Sequence, residues 1–128
     1  MTALTLGVRY FAGVFAIAFA LGTIRTVWLA PAVGAMAAVA IEVPIILAVS
    51  WWWGRRLLVR QRLATGERAV MGGSAFLLLM LAEFGLAMAS GRAPGAYWAP
   101  FFTPAGLLGL AGQLVFAALP LFIKPVRL

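Results

Sequence analysis

Long apolar segments alternate with short polar stretches along this chain, and four of the apolar segments are long enough to cross a membrane. A helix needs about 20 apolar residues to span roughly 30 Å of hydrocarbon. The four segments cover about residues 10–30, 33–53, 69–90 and 101–123. They lack the regular alternation of polar and apolar residues that a membrane-spanning strand requires. Because backbone polar groups inside the hydrocarbon must be satisfied internally, the pattern predicts four α-helices.

The connections between these segments differ in character. Residues 54–68 form a predicted basic loop, and residues 91–100 form a predicted structured loop at the other membrane surface. Pro31 and Gly34 mark a tight connection between the first two helices. The first apolar segment could imitate a signal peptide, but its apolar run continues to Ala30, and we expect it to be retained. We therefore expect one all-α membrane domain, 1–128, folded as a four-transmembrane-helix bundle with antiparallel neighbours.

Positive charge is distributed unevenly between the two predicted surfaces. Arg9, the arginines of the 54–68 loop, and the basic residues near the C-terminus fall on one side. The loop on the other side carries Arg92 alone. Lysine and arginine concentrate on the cytoplasmic side of membrane proteins. We therefore expect a multi-pass protein of the bacterial inner membrane, with both termini and the basic loop in the cytoplasm.

Aromatic and basic side chains also mark the expected membrane surfaces, where they contact lipid headgroups. The residues assigned to these interfaces are Trp28, Trp51, Trp52, Trp53, Arg55, Arg56, Arg60, Arg62, Tyr97 and Trp98. Topology and anionic headgroups account for the net charge of +7, so we expect no nucleic-acid partner.

Composition agrees with a membrane protein and excludes several kinds of chemistry. Of the 128 residues, 65% are hydrophobic and 10% are charged, whereas soluble domains are about half apolar and a quarter charged. The chain has no Cys, His, Asp or Asn, which excludes the usual haem, zinc and iron–sulfur ligands and any Ser-His-Asp triad. Three glutamates are too few for a carboxylate-rich metal cage. We expect no enzyme activity, no cofactor and no metal.

Four polar residues lie inside the predicted helices at similar depth: Arg25, Glu42, Glu83 and Gln113. A lone charge at the centre of a membrane helix costs about 2.5–3.5 kcal/mol, so we expect none of them to face lipid. Arg25 and Glu83 occupy the same depth in helices that run in the same direction, which predicts an Arg25–Glu83 pair. Glu42 either joins this pair or stays protonated against Gln113.

Proline interrupts two of the helices. Pro44 cannot donate to the carbonyl of Ala40, and Pro120 leaves the carbonyl of Phe116 free in the same way. Such a carbonyl can bind an ion or a proton donor, or a water or side chain can fill the gap at a simple kink. Both interpretations stay open at this stage.

The polar cluster is compatible with two classes of function. In the first, the protein is a small channel or carrier, working as an oligomer, for protons, an ion or a small solute, with Glu42 as the titrating site. In the second, it is a non-catalytic subunit or assembly factor of a larger membrane complex, and the cluster is a clamp that selects one helix packing. A water-filled path to Glu42 would favour transport, and a dry, closed cluster would favour the subunit.

Overall fold

The computed structural model describes residues 2–59, 61–89, 91 and 98–123, and the regular structure in these residues is helical. The elements in chain order are α1 (Ala3–Ile24), a π-helical segment (Arg25–Leu29), α2 (Ala30–Val33), α3 (Ala35–Leu58), α4 (Thr65–Ala89), a 3-10 turn (Ala99–Phe102) and α5 (Pro104–Phe122). The first three elements form one continuous span of 31 residues, Ala3–Val33. Together with α3, α4 and α5, this span confirms the prediction of four helices long and apolar enough to cross a membrane.

The helices extend further toward the basic connection than the apolar pattern predicted. The first begins at Ala3 rather than near residue 10, and α3 continues to Leu58. Because α4 begins at Thr65, the predicted basic loop over residues 54–68 is wrong in extent. Arginine is a good helix former, so a helix can continue past the point where its apolar run stops.

Side-chain hydrogen bonds define where α4 and α5 begin. The backbone N–H of Ala64 donates to the Glu67 carboxylate at 3.2 Å, as in a capping box. The N–H of Gly106 donates to the Thr103 hydroxyl at 3.1 Å. Pro104 occupies the first position of α5, where a missing N–H costs little.

Gly34 alone connects the first span to α3. Its backbone has φ 90° and ψ 158°, a combination that is essentially restricted to glycine. The preceding span ends at Val33 and α3 begins at Ala35, so the predicted tight connection consists of this one residue. Pro31, which was expected in the turn, lies instead within α2.

The long helices pack as a ring in which α1 and α5 each contact both α3 and α4. The buried core occupies one half of this ring, which we call the packed half. It consists of Leu6, Tyr10, Val14, Leu58, Met71, Ala75, Leu79, Phe116 and Ile123. These residues come from the first half of α1, the first and middle parts of α4, the last turn of α3, the second half of α5 and the residue that follows α5. The packed half therefore lies at the end of the bundle that carries most of the basic residues.

Close contact between α4 and α5 tightens the packed half. A Cβ atom at Gly72 would overlap the carbonyl oxygen of Ala117, so the two helices approach backbone to backbone at this point. Small residues allow such approach in membrane helices. Gly73, the next residue, faces open space.

Candidate functional site

Arg25 begins the π-helical segment, and Pro31 provides a local reason for that segment. A proline has no N–H, and its ring collides with the carbonyl four residues earlier, which here is that of Val27. The wider π turn precedes this proline, and the N–H of Ala30 donates to the carbonyl of Arg25. Single π turns inside α-helices are frequent at functional sites.

The guanidinium of Arg25 forms an ion pair with Glu42, through Nε and Oε2. The predicted Arg25–Glu83 pair is therefore wrong. Arg25 lies nine residues before Gly34 and Glu42 lies eight residues after it. When two helices joined by a one-residue connection pack side by side, residues equally distant from the connection come to the same level. The connection at Gly34 thus explains which carboxylate Arg25 meets.

Glu83 pairs with Gln113 across the contact between α4 and α5. The Gln113 side-chain amide donates to both carboxylate oxygens of Glu83, at 2.8 and 2.9 Å. Of the two alternatives for Glu42, contact with Arg25 is therefore the one found, and Gln113 contacts Glu83 instead. The amide oxygen of Gln113 is buried and has no hydrogen-bond partner among the described residues. One carboxylate and one free amide acceptor therefore remain outside the Arg25–Glu42 pair.

The four polar residues line a single cavity of about 780 Å³ between the helices. At one end this cavity reaches Val14, Leu79 and Phe116, which belong to the packed half. Its other end is bordered by the exposed residues Thr26 and Thr103. Among the described residues, the bundle is therefore hollow in one half and packed in the other.

The cavity contains more negative than positive charge when its carboxylates are ionised. Arg25 contributes one positive charge, whereas Glu42 and Glu83 contribute one negative charge each, so the net charge of the described lining is −1. Both Arg25 and Glu42 interact electrostatically with Glu83. The side chain of Glu42 is only 12% exposed, in keeping with its role as the partner of Arg25.

Tyr10 contacts Phe116, which lines the cavity at the end that meets the packed half. The two rings stack with centroids 4.4 Å apart, and the Tyr10 hydroxyl donates to the Phe116 carbonyl at 2.7 Å. This is the carbonyl that Pro120, inside α5, leaves without a backbone donor. A side chain therefore fills the gap, which is the second of the two interpretations of Pro120. Sequence reasoning missed Tyr10, although it is a tyrosine in an apolar helix and needs a hydrogen-bond partner when buried.

Two further hydrogen bonds hold the packed half together. Trp53 donates from its indole nitrogen to the carbonyl of Arg9 at 2.8 Å. Arg68 donates from Nη1 to the carbonyl of Ile123 at 2.7 Å, at the end of α5. Trp53, which was assigned to the membrane interface, thus also joins α3 to α1.

The other residues assigned to the membrane interfaces lie on the surface where they are described. The Arg56 guanidinium stacks over the Trp52 ring at 5.3 Å from its centroid, a cation–π contact. Arg60 and Tyr97 lie outside the described residues. The exposed members are Trp28, Trp51, Trp52, Arg55, Arg56, Arg62 and Trp98.

Pro44 lies inside α3 and is exposed, two residues after Glu42. A role for the carbonyl of Ala40 as a ligand stays a prediction.

No group of three or more acidic, histidine or cysteine side chains that could hold a metal ion is present in the described part of the chain.

Comparison with protein-family models, with curated proteins and with solved structures gives no match.

Proposed function

We propose that this protein is a small carrier of the bacterial inner membrane that moves protons, an ion or a small solute. One observation supports this most strongly: Arg25, Glu42, Glu83 and Gln113 line one cavity of about 780 Å³. Ionisable residues inside membrane spans are expensive and commonly mark a substrate or proton pathway. Binding sites for small molecules typically occupy cavities of about 300–1,000 Å³, which is the range of this one.

The division into a hollow and a packed half favours a carrier over an open channel. Tyr10 and Phe116 stack at the point where the cavity meets the packed half. A solute bound near Glu83 would have to pass this pair to leave through the other end. Carriers expose a central site to one side at a time by rocking helices about it. In this proposal, the present arrangement is the state in which the site communicates with the side of the hollow half.

The same geometry changes the residue roles within the transport hypothesis. Glu42 was the expected titrating site, but its carboxylate neutralises Arg25. Among the described residues, the hydrogen-bond partner of Glu83 is the neutral amide of Gln113. We therefore assign the exchangeable proton or ligand to Glu83 and the counter-charge pair to Arg25 and Glu42.

The orientation that we propose has both termini and the basic connection in the cytoplasm, so that the hollow half faces outward. Two hydrogen bonds support antiparallel neighbours, since each joins the start of one helix to the end of another: Trp53 to Arg9, and Arg68 to Ile123. Anionic headgroups would contact the exposed arginines Arg55 and Arg56. A cysteine placed at Ala64 should react with a membrane-impermeant reagent only after the cells are permeabilised. Strong labelling in intact cells would mean that the proposed orientation is the wrong way round.

A second function is favoured by the Arg25–Glu42 pair. Because this pair bridges the two spans joined at Gly34, it can act as a clamp that selects one packing. The protein would then be a non-catalytic subunit or assembly factor of a larger membrane complex. We propose no enzyme activity in either case, and we propose that the carrier works as a homo-oligomer.

Flux in proteoliposomes tests the transport proposal. Purified protein is reconstituted, a solute gradient is imposed, and the internal pH is followed with a trapped dye. Glu83→Gln should abolish the flux, because the amide keeps the shape of the side chain but cannot exchange a proton. Glu67→Gln is the matched control on the same helix and should leave the flux intact, since Glu67 is exposed near the start of α4. If the protein moves no proton, inorganic ion or organic solute and copurifies with a larger complex, the carrier proposal is contradicted and the subunit function is favoured.

A further inference from the structure

We infer that the cavity binds a monovalent organic cation beside Glu83, in exchange for a proton. This inference rests on the proposed function and names the substrate class of the same site. It follows from the charge balance of the cluster, the free acceptor of Gln113 and the size and lining of the cavity.

Charge balance determines the sign and the number of charges on the ligand. With both carboxylates ionised, the groups that face Glu83 in the described part of the chain are Arg25 from the π segment, Glu42 from α3 and the neutral Gln113 from α5. The sum is −1, and a net charge is costly in a membrane-embedded site. One proton on Glu83 or one monovalent cation beside it brings the sum to zero. A divalent cation or an anion would leave a net charge.

The polar atoms around Glu83 favour a ligand that donates hydrogen bonds or carries a positive charge. The cluster presents the carboxylate of Glu83 and the buried, unpartnered amide oxygen of Gln113. Arg25, the cation of the cluster, is already paired with Glu42. A ligand that enters the cavity therefore meets a negatively charged carboxylate and no unpaired cation among the described residues, and this environment attracts a positive charge.

The size and walls of the cavity favour an organic cation over a bare metal ion. Glu83 and the free oxygen of Gln113 supply three oxygen atoms, whereas calcium is held by about 6–8 oxygens. A volume of about 780 Å³ is far larger than a dehydrated ion requires. Four phenylalanines line the cavity: Phe15, Phe19, Phe101 and Phe116. Aromatic faces attract ammonium groups through cation–π interaction, and they also accommodate the apolar part of an amine.

The exchange is balanced in charge and in atoms. Before binding, the proton resides on the Glu83 carboxyl and the cluster is neutral. When the cation binds, this proton leaves to water in the cavity and the carboxylate pairs with the cation, so the cluster is neutral again. Loading the carrier with either species therefore gives the same net charge.

A pair of ligands with the same shape tests the inference on the wild-type protein. Benzyltrimethylammonium and neopentylbenzene differ only in whether the central atom of the branched group is a charged nitrogen or a neutral carbon. Calorimetric titration of the purified full-length protein in detergent should show that the cation binds about tenfold more tightly or better, the effect of one charged contact. Equal binding of the two, preferred binding of benzenesulfonate, or no binding of the cation at millimolar concentration would overturn the inference.

The dependence on pH tests the proton exchange. Because one proton is released for each cation bound, the affinity should rise by about tenfold per pH unit while the site is protonated, and then level off. Glu83→Gln should remove this dependence and weaken cation binding about tenfold or more, and Glu67→Gln should change neither. A cation affinity that is independent of pH in the wild type would overturn the exchange. If Glu83→Gln fails to fold, the ligand pair and the pH series on the wild type still decide.

Failure of this inference and failure of the transport proposal can be distinguished. Flux of an anion or neutral solute in proteoliposomes, without binding of the cation, would overturn the substrate class and leave transport standing. Cation binding that depends on Glu83, without flux of any solute, would support the binding site and overturn transport.

Discussion

Replacing Tyr10 by phenylalanine should destabilise the protein because it leaves the Phe116 carbonyl without a hydrogen-bond donor. The Tyr10 hydroxyl donates to this carbonyl at 2.7 Å, and Pro120 has no N–H with which to take over. Phenylalanine keeps the aromatic ring, so the stacking at 4.4 Å is preserved. The substitution therefore removes the hydroxyl, which bonds the Phe116 carbonyl and also interacts with Ser50, at the boundary between the packed and the hollow half.

The expected loss is about 1–2 kcal/mol in the free energy of unfolding. Interhelical hydrogen bonds in membrane proteins contribute about 0.6 kcal/mol on average and at most about 1.7 kcal/mol. Leaving a buried acceptor unsatisfied costs about 1–3 kcal/mol. Tyr10 and Phe116 are fully buried, at 0% and 2% exposure, so water cannot readily replace the hydroxyl. These facts place the loss in the upper part of the range for membrane proteins.

A double-mutant cycle with Pro120→Ala separates this hydrogen bond from changes in packing. Alanine at position 120 restores the backbone N–H that can donate to the Phe116 carbonyl. Tyr10→Phe should therefore cost about 1 kcal/mol less in the Pro120→Ala background than in the wild type. The measurement is reversible unfolding in mixed micelles with increasing dodecyl sulfate. An equal cost in both backgrounds would refute the reasoning, because the hydroxyl would then not compensate for the missing N–H.

Three further substitutions test the packing. Arg25→Leu should destabilise the protein by about 1–3 kcal/mol more than the double substitution Arg25→Leu with Glu42→Leu, because the single substitution leaves the Glu42 carboxylate without its cation. Equal unfolding midpoints of the two variants would contradict the ion pair. Gly72→Ala should lower the free energy of unfolding by about 1–3 kcal/mol, because the new methyl group overlaps a backbone carbonyl. The control Gly73→Ala should be nearly neutral, and similar thermal stability of the two variants would contradict the close approach of α4 and α5. Gly34→Ala should cost about 1–3 kcal/mol from backbone strain alone, measured by the same unfolding titration, and an unchanged midpoint would contradict the assigned φ.

The partner of Arg25 does not follow from membrane depth, because the predicted helix centres place Arg25 level with Glu83. The one-residue connection at Gly34, which brings Glu42 to the level of Arg25, is seen only in the structure. The physical reason is that a short connection restricts the register of the two helices it joins, whereas membrane depth alone does not select a neighbour.

Four spanning helices, their approximate positions and the set of four intramembrane polar residues followed from the sequence by itself. The cost of exposing backbone and charge to hydrocarbon is large, and it acts on each segment separately, so it can be read without knowing the neighbours. The pairing of the polar residues, the Tyr10 bond to Phe116 and the cavity were decided only by the tertiary structure. Each depends on which helix faces lie against each other, and small residues are so common in this chain that many faces could pack. Close contacts such as that of Gly72 with Ala117 select one arrangement, and that arrangement leaves the half around Glu83 hollow.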